Sequence, residues 1–183
     1  MNTWERDCAH AIGQEVRRRR GKRSAQWLAD RVTEIGVKMT RQSIADLENG
    51  RRRYVTTGEL AVLAAALDTA PAQLLYPGLP TRDSEVLPGI TTSSGEALLW
   101  FNGHWRIPVP GGNDTAAYEM RETMKLVWEY INLKRAIPEL RLQRSVEAAT
   151  TGGPADDSWA KEMQDRINEI AKILESKRLS GDG

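Results

Sequence analysis

The chain has 183 residues, 40% of them hydrophobic, enough for one domain or two small ones with an apolar core. No apolar run approaches the ~18 residues of a membrane span and the first residues carry no signal-type apolar region, while Cys8, as the only cysteine, excludes an intrachain disulfide and points to a reducing cytoplasm. The net charge of +1 is uneven: residues 1–76 hold 13 Lys+Arg against 9 Asp+Glu, a net +4, and residues 77–183 hold 13 against 16, a net −3.

Trp4, Cys8, Ile12 and Val16 recur every four residues, which predicts an amphipathic first helix capped near Asn2 or Thr3, with Cys8 as a small buried helix residue. It runs into Arg17-Arg18-Arg19-Arg20-Gly21-Lys22-Arg23, six basic residues in seven. Ser24 is placed to cap a second helix carrying Trp27, Leu28, Val32 and Ile35 inward and stopped at Gly36. A longer loop leads to Thr40, the N-cap of a short third helix that ends at Gly50, and the second basic run Arg51-Arg52-Arg53 follows at once. On this third helix Ile44 and Leu47 share one face, leaving Arg41, Gln42, Ala45 and Asp46 on the other. Such a front suits the major groove of DNA, where arginine forks onto guanine and a side-chain amide onto adenine. Thr56 and Glu59 have capping-box spacing ahead of a fourth helix with Leu60, Leu63, Ala64 and Leu67, and Pro71 opens a short fifth helix.

The stretch Thr40–Gly50 resembles the recognition helix of the Xre/Cro family of phage and bacterial repressors, whose signature reads Ser/Thr-x-x-x-Ile-x-x-Leu/Ile-Glu-x-Gly; Thr40, Ile44, Leu47, Glu48 and Gly50 fit it. The resemblance covers about residues 8–76 and includes the pair Leu28-Ala29. It implies a five-helix, lambda-repressor-like helix-turn-helix domain over residues 1–76, with Arg41, Gln42, Ala45 and Asp46 reading bases. Backbone contacts are then expected from Arg17, Arg18, Arg19, Arg20, Lys22, Arg23, Gln26, Ser43, Asn49, Arg51, Arg52 and Arg53. Glu48 is expected to pack against the domain and pair with an arginine rather than read a base. Two departures stand out. The family's glutamine three residues before the conserved-type leucine is Ala25 here, with Gln26 one place later. The segment between Ala29 and Thr40 is also about five residues longer than the family's tight connection.

Residues 77–112, rich in Pro, Gly, Ser and Thr, are predicted to be a linker with short irregular elements, Glu96–Phe101 being a helical turn or a short strand. Asn113 or Asp114 caps a long helix to about Ile137, Pro138 breaks or restarts it, and Glu139–Ala149 is a further helical stretch. A last helix from Asp156 or Ser158 carries Ala160, Met163, Ile167, Ile170 and Leu174 at heptad spacing. The fold class is thus all-α, with residues 113–183 a C-terminal helical domain.

These features predict a cytoplasmic, sequence-specific double-stranded-DNA-binding transcriptional regulator, a repressor of phage-immunity or bacterial type. The alternative is an antitoxin or protein-interaction adaptor whose C-terminal helices hold a partner. No glycine-rich phosphate loop or Ser-x-x-Lys motif argues for an enzyme, and Cys8, His10 and His104 lack the spacing of a metal site; no catalytic residue, metal or cofactor is expected. For stoichiometry, the seam Met163, Ile167, Ile170 and Leu174 offers a homodimer contact. The other possibility is a monomer with a second DNA contact near Lys134, Arg135, Arg141 and Arg144.

Overall fold

In the computed structural model, which describes residues 3–151 and 158–180, the helix signals of the first 76 residues become five helices: α1 Trp4–Arg20, α2 Ala25–Glu34, α3 Arg41–Glu48, α4 Thr57–Ala66 and α5 Pro71–Leu75. Three of the starts are made by side-chain caps. Ser24 Oγ accepts from the Trp27 amide at 3.0 Å, Thr40 Oγ1 accepts from the Ser43 amide at 3.0 Å, and Thr56 and Glu59 form a reciprocal capping box. Thr3 precedes α1 but makes no side-chain cap bond. Gly36 and Gly50 stop α2 and the turn after α3 at positive φ, +105° and +67°, where a Cβ would be strained.

These helices close around one apolar cluster. Ile12 and Val16 come from α1, Leu28, Ala29 and Val32 from α2, Ile44 and Leu47 from α3, and Leu63, Ala64 and Leu74 from α4 and α5. Each such Leu, Ile or Val contributes about 1.5–3 kcal/mol by leaving water. Ile35, expected inward, is exposed because α2 ends at Glu34, one residue before it. Helices α1 and α3 approach closely at Gly13, where an added Cβ would lie 2.2 Å from the Leu47 carbonyl oxygen.

The linker expectation needs correction. Asp83–Leu87 (β1) and Ile90–Ser93 (β2) form an antiparallel hairpin, with Asp83 opposite Ser93, Ser84 opposite Thr92 and Glu85 opposite Thr91, and Ser94–Phe101 forms α6. The composition that reads as a linker is that of a tight hairpin: Pro88-Gly89 makes the turn, with Gly89 at φ +76°, and β-branched threonines fill β2. Ser93 Oγ accepts from the Glu96 amide at 3.2 Å and Glu96 returns to the Ser93 amide at 3.4 Å, a second capping box that starts α6 as a helix rather than a strand. The first compact unit therefore extends to Phe101, and the second begins at Asn102.

In the second unit α7 runs from Asp114 to Thr151, straight through Pro138, and α8 from Ser158 to Ser180. The predicted break does not occur. Pro138 and Lys134, whose carbonyl loses its amide partner, are both exposed, so water can satisfy the freed acceptor, while Ile137 beside them is buried. The two helices run antiparallel: the Arg166 guanidinium spans both Glu129 carboxylate oxygens at 2.7 and 3.0 Å, and Arg144 lies 5.2 Å over the Trp159 ring. Ala160, Ile167 and Ile170 are buried in this pairing and Met163 and Leu174 are half-buried. The heptad seam offered for a homodimer is thus occupied by α7 of the same chain.

Gly13→Ala should lower unfolding free energy by about 1–3 kcal/mol in urea titrations, although alanine is the better helix former, because the Leu47 backbone has to retreat.

Candidate nucleic-acid interface

The site is built outward from α3. Its back is Ile44 and Leu47, both fully buried, and its front is Arg41 and Gln42, both exposed, with Ala45 and Asp46 half-buried beside them. Arg41 has no ion-pair partner among the described residues. Gln42 Nε2 donates to Asp46 Oδ1 at 2.9 Å, and Arg51 Nη1 reaches the same oxygen at 3.3 Å. Asp46 therefore holds its neighbours in place, a positioning role that its expected base-reading role did not include. Ser43 is half-buried and Asn49 exposed at the two ends of the helix.

The orientation of α3 is set by an ion pair behind it. Arg20, at the end of α1, donates through Nε and Nη2 to both oxygens of Glu48 at 2.7 Å each, and a third donor of the same guanidinium reaches the Arg23 carbonyl in the α1–α2 turn. The two side chains are only 13% and 6% exposed. The Glu48 hydrogen bonds outweigh burial and push the Arg20 pKa further above its ordinary value, so the cation is permanent. Gln14 Nε2 donates to the Glu48 carbonyl at 3.2 Å, supplying a partner at the C-terminal end of α3. The expected arginine partner of Glu48 is thus Arg20, which makes Arg20 a correction among the backbone-contact residues: it points inward. Its phase carries that signal, since Ile12, Val16 and Arg20 continue one four-residue stripe.

The remaining cations divide by what already holds them. Arg17 and Lys22 are exposed with no ion pair among the described residues. Arg18 and Arg19 both bond Glu15, which is buried and held below the usual carboxylate range first by the Arg18 hydrogen bond, against burial, and also by Arg19. Arg23 lies 3.9 Å over the Trp27 ring and donates to the Arg19 and Arg20 carbonyls, which fixes it at the turn. Gln26 Nε2 bonds Asp30 at 2.7 Å. After α3, Arg51 and Arg53 stay exposed, Arg53 with Glu5 at 3.1 Å, whereas Arg52 is a second correction. Its guanidinium spans Glu59 at 2.6 and 3.1 Å, both side chains 22% exposed, and braces the start of α4. Burial alone would raise the Glu59 pKa, but the bonds from Arg52 and from the Thr56 amide hold it below the usual value. Trp27, expected only to face inward, also seats Arg23.

In the second unit Lys134, Arg135, Arg141 and Arg144 are all exposed on α7; Lys134 lies 5.3 Å over Tyr130, and Arg144 sits on Trp159. Among the described residues no group of three or more His, Cys, Asp and Glu side chains could hold a metal ion, and no helix is long and apolar enough to cross a membrane. Comparison with protein-family models, with curated proteins and with solved structures finds no match for this chain.

Arg20→Ala should cost about 3–5 kcal/mol of stability in chemical denaturation, because Glu48 is left charged and buried. The double replacement Arg20→Met with Glu48→Leu should lose much less than the two single changes together.

Glu59, with its depressed pKa, contributes stability that is present above the unfolded value near 4.5 and lost as pH falls through the lower folded value. Acid titration of stability between about pH 5 and 3 should therefore be flatter in Glu59→Gln than in the parent chain.

Proposed function

We propose that this chain is a sequence-specific double-stranded-DNA-binding regulator of transcription, a repressor of the Xre/Cro helix-turn-helix type from phage or bacteria, with α2 and α3 as the helix-turn-helix pair. The observation that carries the reading is the front of α3: Arg41 and Gln42 stand free of the core on a helix locked from behind by Arg20–Glu48. Eight residues make a rod about 12 Å long, which fits across a major groove about 12 Å wide. Arg41 then forks onto guanine, and Gln42, presented by Asp46, addresses adenine. Lys22, Arg17, Arg51 and Arg53 supply the salt-dependent phosphate contacts, and Ser24 at the start of α2 adds the helix N-terminus that family members set on a phosphate.

For stoichiometry the reading follows the burial of the heptad seam. A monomer covers an asymmetric site, with Lys134, Arg135, Arg141 and Arg144 extending the footprint. Light scattering of the free chain together with footprinting of the bound site tests this; a stable dimer protecting a palindrome overturns it.

One observation favours the second reading, a chain whose C-terminal helices bind a protein partner: Leu142 and Val146, one turn apart on α7, are 70% and 60% exposed. Native co-purification of a stoichiometric partner, lost in Leu142→Ser with Val146→Ser, would support it.

Genomic enrichment of bound DNA should yield one motif. On that motif Arg41→Ala and Gln42→Ala should each weaken binding by about 1–3 kcal/mol and relax preference at one base position. Arg51→Gln with Lys22→Gln should instead weaken binding equally on specific and random DNA, lowering the slope of log affinity against log salt by up to about one unit per lost phosphate contact. Wild-type affinity and preference in both α3 variants would defeat the assignment.

A further inference from the structure

Away from α3, the first unit contains a cavity of about 400 Å³ between α1, the end of α5, β1 and α6. Nothing in the DNA reading uses it. Four aromatic rings line it: Trp4, Tyr76, Trp100 and Phe101. Two contacts hold three of these rings in place. Trp4 Nε1 donates to the Glu85 carbonyl at 3.0 Å, tying α1 to β1, and Tyr76 meets Phe101 edge to face with centroids 6.1 Å apart. The volume lies near the lower end of the ~300–1,000 Å³ typical of small-molecule sites, and the lining has the usual form of such sites, apolar walls with a few polar groups.

The polar groups decide the kind of ligand. Asp7, Asp83 and Glu85 border the cavity against one guanidinium, that of Arg82. The Glu85 carboxylate is anchored by the Gly89 amide at 2.6 Å, so it is held in position at the hairpin. The field reaches the wall itself: the Cys8 thiol, half-buried there, is pushed above its ordinary pKa by burial first and then by Glu85 and Asp7. An anionic ligand would meet three carboxylates, and a neutral one would leave the ring faces and the acidic border without a charge to attract.

We propose that this cavity binds a small aromatic cation, a flat nitrogen heterocycle or aryl ammonium, with its ring among Trp4, Tyr76, Trp100 and Phe101 and its charge toward Asp7 and Glu85. Aromatic faces attract cations through their quadrupole, and the effect grows when water is excluded. The site stands independently of whether α3 reads DNA.

The test is calorimetric titration of the full chain, without DNA and at neutral pH, with three probes of similar shape: N-methylquinolinium, quinoline and 2-naphthoate. The cation should bind saturably, about tenfold or more tighter than neutral quinoline, with 2-naphthoate weakest. Asp7→Asn, an exposed position, should weaken N-methylquinolinium severalfold and leave quinoline unchanged. Trp100→Leu should weaken both, and Phe101→Leu at the exposed rim replaces it if circular dichroism shows that Trp100→Leu does not fold. The proposal is overturned if 2-naphthoate binds as tightly as the cation, which would assign the cavity to Arg82 and an anion. It is equally overturned if the cation gives no saturable heat, or if the charge and ring variants leave its isotherm unchanged.

Discussion

Arg20 on α1 and Glu48 on α3 meet where water barely reaches, and the geometry of the first unit follows from how they are satisfied. Arg20 spans the Glu48 carboxylate and caps the Arg23 carbonyl, while Gln14 takes the Glu48 carbonyl. Two turns away Gly13 lets the Leu47 backbone come close enough that no side chain fits between. Together these contacts set α3 against α1 by backbone approach at one point and by a two-pronged ion pair at another. A buried ion pair is a poor source of net stability, since desolvation offsets its attraction, but breaking one partner is costly. Its effect here is on position: it fixes α3 in rotation and translation so that Arg41 and Gln42 face solvent.

The long connection between α2 and α3 becomes intelligible in that light. A tight turn is one way to orient two helices, and this chain uses packing instead. Leu28 and Val32 on one side and Ile44 and Leu47 on the other enter the same core, with Met39 buried in the loop between them. The loop can lengthen because it does not carry the orientation. The charges around α3 are sorted by the same principle. Glu48 and Glu59 draw Arg20 and Arg52 inward, Glu15 gathers Arg18 and Arg19, and the cations left open are those with no buried carboxylate in reach.

The second unit buries less. Its two long helices share one seam, held at Glu129–Arg166 and at Trp159–Arg144, while Leu142, Val146 and Tyr118 on α7 remain in water. A two-helix hairpin has only one interface to fill, so the apolar residues outside it stay uncovered.

Local signals were legible in the sequence alone: the caps Ser24, Thr40 and Thr56, the stops at Gly36 and Gly50, and the stripes of α1, α3 and α4 rest on interactions within a few residues, which spacing encodes. The exposed front Arg41-Gln42 was legible for the same reason, as the complement of Ile44 and Leu47. Composition misled where one set of residues serves two states. Pro, Gly, Ser and Thr at 77–98 suit a linker and a hairpin alike, and Pro138 reads as a break although α7 runs through it with that turn facing water. What tertiary structure alone decided was partnership. Six arginines and lysines in seven positions are chemically equivalent along the chain; Glu15 reaches Arg18 and Arg19 within α1 itself, but only the arrival of Glu48 determines that Arg20 is spent inside the protein. The heptad of α8 likewise fits a second chain or its own α7, and the antiparallel return of the same chain fills it first, because an intramolecular partner is present at high effective concentration.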